Sequence, residues 1–200
     1  MKNQHKKGEI LKAASECLAR YGYEKTTMDD IGKRVGLNKA SLYHYYKSKE
    51  SIFSEVVFNE TEEFKHALQD RVNEATGCEN RIKTYLIERL RYYQHVINLH
   101  NVSLETLRSV QPVFRKLYQA VYEKELDFME NLLRDCVDGD EIADCDTRRI
   151  AKSILTVADA IKHSTFNTPD IQFGSQIDYS EVEDEVSFVV SLIINGLKKK

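Results

Sequence analysis

The stretch LNKASLYHYYKSKE, Leu37 to Glu50, gathers the groups of this 200-residue chain best suited to bind an anion. Asn38 has the side chain of a helix N-cap, so a short helix is expected to begin at Lys39. That puts an ammonium group in a first turn whose partial positive charge repels it, and the turn holds no Asp or Glu to compensate. An external anion resolves the conflict. Lys49, just inside a helix expected from Ser48, repeats the pattern, and two successive helix N-termini with free N–H groups and a lysine each make good phosphate sites. Ser41, Tyr43, His44 and Tyr46 lie between them. They add hydroxyl and imidazole donors for phosphate and ring faces for thymine methyls. Ala40 and Thr27, the latter opening the preceding helix, are placed on the same surface.

Other chemistry finds little support. The acidic residues are spread singly over helical faces, without a nucleophile and base to match, so no catalytic residue is assigned and no enzyme is expected. Cys17, Cys78, Cys136 and Cys145 are scattered with no C-x-x-C pair, and neither zinc nor a disulfide framework is suggested. Four reduced thiols in or near cores are expected, with no metal and no cofactor.

Positioning these side chains falls to helices. Nearly every segment has a 3.6-residue apolar period and none alternates as a strand does, so the fold class is all-α. The first helix is expected over about Lys7–Tyr21, with Ile10, Leu11, Ala14, Leu18 and Tyr21 on one face and Gly22 to end it. Thr27 and Asp30 have the spacing of a capping box, so the next helix begins at Met28, and Gly36 ends it within three turns. Gly32 lets that helix approach its successor, which runs from Lys39 to about Tyr46. Further helices are expected over Ser48–Val72, Arg81–Leu99, Leu104–Val110, Pro112–Val137, Thr147–Phe166 and Ser180–Lys199.

Charge divides the chain in the same place. Residues 1–50 carry eleven Lys/Arg against six Asp/Glu, and the remaining 150 carry eighteen against twenty-six. A basic head on an acidic body suits a protein that meets a polyanion with its N-terminal end. No apolar run approaches the ~20 residues needed to span a bilayer, and the start has no signal-peptide pattern, so a cytoplasmic protein with no membrane partner is expected.

The segment TTMDDIGKRVGLNKASLYHYYKSKESIF resembles the DNA-binding signature of the TetR (tetracycline-repressor) family of transcriptional regulators. The matching residues are Ile31, Gly36, Leu42, Tyr43, Tyr46 in the usual Phe place, Lys49 and Glu50, and the likeness covers about Ile10–Val57. Gly32 stands where alanine is common, and Ala40 where glycine is frequent. The resemblance implies a three-helix helix-turn-helix domain over residues 1–50 and a helical ligand-binding and dimerisation domain over 51–200. It implies a homodimer on a palindromic operator, most often a repressor, released by a small-molecule effector. The alternative is an architectural or partner-binding DNA-binding protein of the same fold without such a switch.

Within the body, the last two helices have the broadest apolar stripes. Ile154, Ala158, Ile161, Val186, Val190, Ile193 and Leu197 are the candidates for the dimer interface that the resemblance implies. Tyr85, Tyr92, Phe114, Tyr118 and Tyr122 form an aromatic set suited to a mostly apolar effector with a polar end. Asp159 and His163, at i and i+4, either supply its polar contacts or pair with each other.

Overall fold

The computed structural model describes residues 2–100, 102–164 and 176–199, and no side chain at 2, 61–63, 66, 104 or 107–120. The described residues form α-helices and no strand: α1 Lys2–Lys25, α2 Met28–Val35, α3 Lys39–Tyr45, α4 Lys49–Glu74, α5 Cys78–Leu99, α6 Leu104–Asp138, α7 Thr147–Ser164 and α8 Tyr179–Leu197. The all-α expectation holds. The two helices expected on either side of Pro112 are one, α6. A proline inside a helix removes one hydrogen bond and favours a kink without by itself ending the helix.

The chain separates into two compact units. One comprises Met1–Glu63, His95–Tyr118 and Gln172–Gln176; the other comprises Phe64–Gln94, Gln119–Ile171 and Ile177–Lys200. In the first, Ile10, Ala14, Cys17 and Leu18 of α1 are buried with Ile31 of α2, Leu42 of α3 and Ile52 and Phe53 of α4. Each fully buried aliphatic side chain contributes about 1.5–3 kcal/mol relative to exposure, and together they hold the short α2 and α3, which are too short to persist alone.

Gly22 interrupts α1 with φ 77°, ψ 165°, so the expected helix end is a kink followed by one further turn. Tyr21, expected on the inner face, is exposed, and Tyr23 beyond the kink takes the buried place instead. The kink accounts for Tyr23, because a helical period cannot be carried across a residue at positive φ. The Tyr23 ring lies 4.9 Å from Phe53, and Phe53 meets His100 edge-on at 5.6 Å. The Tyr23 N–H donates to the His100 carbonyl at 2.7 Å.

In the second unit, Ile82, Leu86, Met129, Leu133, Ile142, Ile154, Leu155 and Ile194 are buried. Cys78 and Cys136 are joined in a disulfide with a Cα–Cα distance of 5.5 Å across 58 residues of sequence. The expectation of four reduced thiols is thereby corrected. Spacing motifs register only local pairs, whereas this pair forms because the start of α5 meets the end of α6. Cys17 and Cys145 are free.

Candidate nucleic-acid interface

Two helix starts and one turn fix the site. The Thr27 Oγ1 accepts from the Asp30 N–H at 3.2 Å while the Asp30 carboxylate accepts from the Thr27 N–H at 3.0 Å, completing the capping box. The Asp30 carboxyl is held below its ordinary range by hydrogen bonding to Thr27, side chain first and then backbone. At the other end of α2, Gly36 adopts φ 72°, ψ 28°, and the N–H of Leu37 reaches the Gly32 carbonyl at 2.8 Å. This is the paired closure that a left-handed residue permits. A Cβ on Gly32 would lie 2.8 Å from the Leu37 carbonyl oxygen, so this crossing requires the glycine. Asn38 Oδ1 then accepts from the Ser41 N–H at 2.8 Å and starts α3.

The helix set up in this way has two faces. Leu42 faces inward and is fully buried, and Tyr46, just past the last turn, is buried to 4% exposure. Lys39, Ala40, Tyr43 and His44 are exposed and Ser41 is half-buried, with Tyr43 at 42% exposure. Lys39 has no ion pair among the described residues, and α3 has no acidic residue in its first turn. On α2, by contrast, Lys33 pairs with Asp29 at 2.6 Å and Arg34 with Glu16 at 2.6 Å. A cation at a helix start, free amide groups beside it and two exposed rings within a turn form an anion-facing surface that also carries base-reading groups. Lys47, exposed beside them, went unassigned in the sequence, although its place between Tyr46 and Lys49 was signal enough.

Two of the expected contacts are corrected. The ring of Tyr46 packs inward, with the Lys7 ammonium 5.2 Å from its centroid, and has no free face to offer. Lys49 begins α4, but its Nζ donates to the Tyr23 carbonyl at 2.8 Å and lies 4.0 Å from the centre of the Tyr23 ring. Burial pulls its pKa down, against the opposing effect of Glu24 and Glu50. The start of α4 is capped internally by reciprocal bonds between Ser48 and Ser51, each 3.3 Å. The second lysine therefore ties the end of α1 to the start of α4.

The sequence profile of the bacterial regulatory proteins of the tetR family matches residues 10–56, which span the inner face of α1, the whole helix-turn-helix and the start of α4. These residues carry the DNA-binding domain of the TetR family. Among TetR-family and related regulators, the fatty acid metabolism regulator protein of Bacillus subtilis is 20% identical over 198 residues, covering 96% of this chain and 95% of that one. The biofilm operon negative transcriptional regulator IcaR of Staphylococcus aureus is 26% identical over 129 residues, covering 62% of this chain and 69% of its own. In fold, the chain is similar to a transcriptional regulator of Cytophaga hutchinsonii, with a TM-score of 0.72 at 23% identity over 95% of this chain and 97% of the other. With this domain the protein is a DNA-binding transcriptional regulator, and no helix of the described residues is long and apolar enough to cross a membrane.

The body residues are distributed differently from the expectation. Tyr85 is buried with its ring 5.1 Å from Phe128, Tyr92 stacks on Phe64 at 4.2 Å, and Tyr122 is half-buried. The side chains of Phe114 and Tyr118 lie outside the described residues. Asp159 bonds Arg89 at 2.9 Å and Lys162 at 3.0 Å, and Arg89 also holds Glu125 at 3.0 Å. Burial raises the Asp159 carboxyl, but Arg89 and then Lys162 outweigh it and hold it well below the usual carboxylate range. The sequence missed this network. Asp159 and Lys162 are a visible i, i+3 pair, but Arg89 comes from another helix. The His163 residue as a whole is exposed, but partial desolvation of its ring lowers its pKa first, with the Lys162 charge adding to the shift.

The stripes on α7 and α8 resolve into floor and walls. Ile154, Val186 and Val190 are buried within the chain, and with Val157, Ala158, Ile161, Val189 and Ile193 they line an apolar groove. Leu197 is half-buried. Phe188 and Leu192, one turn apart on α8, are each 57% exposed and were absent from the sequence assignment. A broad apolar stripe shows that two faces are needed without showing which row turns outward.

Proposed function

We propose that the protein is a homodimeric repressor that reads a palindromic operator with α3 and is released from it by a small-molecule effector. The observation that carries this reading is the outward row Lys39, Ala40, Tyr43 and His44, set on a helix whose start, turn and predecessor are each fixed by a specific cap. In this reading residues 1–50 are the DNA-binding domain and 51–200 the ligand-binding and dimerisation domain. Thr27 and Asn38 act with Ser41 as cap residues, bringing their neighbouring N–H groups to phosphate, while Lys39, Tyr43 and His44 reach phosphate and base edges. A regulator of DNA works where the DNA is, in the cytoplasm.

The dimer follows from the exposed ridge. Phe188 and Leu192 present an exposed apolar surface on α8, and Ala158, Ile161 and Ile193 line an apolar groove between α7 and another face of α8. A two-fold operator demands a two-fold protein, so a second copy is the occupant. For the effector, an apolar molecule with a polar end suits the Tyr85, Tyr92 and Tyr122 region of the second unit. A regulator named for fatty acid metabolism among the similar proteins fits that class. A polar route to the head exists within the first unit. Glu24, at the end of α1, accepts from Ser103 Oγ at 2.6 Å and from Thr106 Oγ1 at 2.7 Å at the start of α6.

The test is selection of a binding site from random duplexes, followed by mass measurement of the complex. The expected result is an inverted repeat whose half-sites lie about 34–36 Å apart or a multiple of that, with two chains per half-site pair. A single asymmetric site bound by one chain would overturn the dimeric reading.

A further inference from the structure

Reading DNA does not require the bond between Cys78 and Cys136. A chain of this length has a core large enough to stand without staples. Where DNA is bound, moreover, thiol pools keep cysteines reduced and the disulfides that do form are mostly transient. This step rests on the cytoplasmic DNA-binding reading above. We propose that Cys78 and Cys136 are a reversible dithiol–disulfide site that exchanges with low-molecular-weight disulfides.

The geometry supports opening and closing. Cys78 is the first residue of α5, preceded by exposed Thr76 and by Gly77 at φ 81°. Its N–H donates to the Glu141 carboxylate at 2.6 Å, and the Glu141 N–H donates to the Cys136 carbonyl at 2.9 Å. Glu141 thus bridges the same two helix ends without a covalent bond. Once the disulfide is reduced, the bridge keeps the two thiols within a few ångströms and makes reclosure intramolecular. Both sulfurs are covered, Cys78 at 3% exposure and Cys136 at 0%, so exchange proceeds through opening of the first turn of α5 and begins at Cys78.

The step balances as follows. The Cys78 thiolate attacks one sulfur of a disulfide RSSR, and the departing RS⁻ takes up the proton that Cys78 gave to solvent. The Cys136 thiolate then attacks the Cys78 sulfur and expels the second RS⁻, which takes up the proton of Cys136. Two protein thiols are oxidised to one disulfide and RSSR is reduced to two RSH; excess RSH runs the exchange backwards.

Both ends of the pair reach α8. Glu79, next to Cys78, accepts from Ser191 Oγ at 2.8 Å, and Ala143, in the segment after α6, donates its N–H to the Leu197 carbonyl at 2.8 Å. Opening the bond loosens the seat of the last turns of α8. Closing a loop of 58 residues by the entropic rule raises the melting temperature of the oxidised form by about 8–16 °C over the reduced one.

The test equilibrates the full-length protein in buffers of reduced and oxidised glutathione at many ratios, approached from both sides after a pulse of denaturant. Acid quench, unfolding, alkylation and mass measurement then count the free thiols. The expected result is two alkylation sites lost together as the ratio turns oxidising, with Cys17 and Cys145 labelled throughout, and the titration abolished in both C78S and C136S. A pair that stays closed in every thiol-rich buffer would make it a fixed staple, and one that stays open in oxidised glutathione alone would make it two ordinary thiols. Either outcome overturns the proposal. No DNA enters the measurement, so a chain that titrates as expected yet binds no operator defeats the DNA-binding reading alone.

Discussion

Lys39 and Lys49 occupy the same place on successive helices, yet the structure gives them opposite work, and a paired substitution separates the two. Lys49 makes a charge-assisted hydrogen bond of 2.8 Å to the Tyr23 carbonyl and lies 4.0 Å over the Tyr23 ring. Such a bond contributes about 1.5–3 kcal/mol and a cation–π contact about 0.5–1. Part of this returns when the half-buried ammonium is removed, so Lys49→Ala is expected to destabilise the protein by about 1–3 kcal/mol. At roughly 2–4 °C per kcal/mol for a chain of this size, the melting temperature falls by about 2–12 °C. Lys39→Ala touches no ion pair and should leave melting within about 0.5 kcal/mol of the parent. DNA binding reverses the order. Each phosphate contact adds about 0.9 to the slope of log affinity against log salt, so Lys39→Ala should lower that slope by about one unit and Lys49→Ala should leave it unchanged. Fluorescence anisotropy on one operator duplex and one random duplex across a salt series, beside thermal melts, reads both effects. A Lys49→Ala protein with parental melting and a reduced salt slope would refute this assignment.

Three further outcomes follow from single sites. Gly36→Ala, at φ 72°, should cost about 1–2 kcal/mol by forcing a side chain into the left-handed region, seen as a lower denaturant midpoint with an unchanged slope. Leu192→Asp and Phe188→Asp, on side chains 57% exposed, should leave helical content intact and give monomers in sedimentation; an unaltered dimer would move the interface off α8. Burial raises the Glu24 carboxyl, but hydrogen bonds from Ser103 and Thr106 outweigh it and hold the folded pKa below the unfolded value, so its contribution is present above about pH 4.3 and is lost as pH falls through the folded pKa. The stability difference between the parent and Glu24→Gln should therefore shrink between pH 5 and pH 3, and a constant difference would mean that the bonds from Ser103 and Thr106 do not hold the Glu24 carboxylate.

The part of the site written in local code was legible before any coordinates. Thr27 with Asp30, Gly36 and Asn38 each act on backbone groups within four residues, so residue type and spacing fix the limits of α2 and the start of α3. The exposed row Lys39, Tyr43 and His44 follows from those limits. What lay beyond was settled by distant partners. The Tyr23 carbonyl that captures Lys49 is in place only because Gly22 bends α1, and Tyr46 turns inward, against Lys7. The row of α8 that faces outward depends on which side α7 covers, so Phe188 and Leu192 could not be told from Val186 and Val190 by period alone. Arg89 met Asp159 across 70 residues and Cys78 met Cys136 across 58, separations at which sequence spacing has no say. Caps and turns are contests between a side chain and its own backbone, which the sequence by itself determines. Which cation is left for an anion, which apolar row is left uncovered and which thiols meet are decided only when helices far apart in the chain pack together.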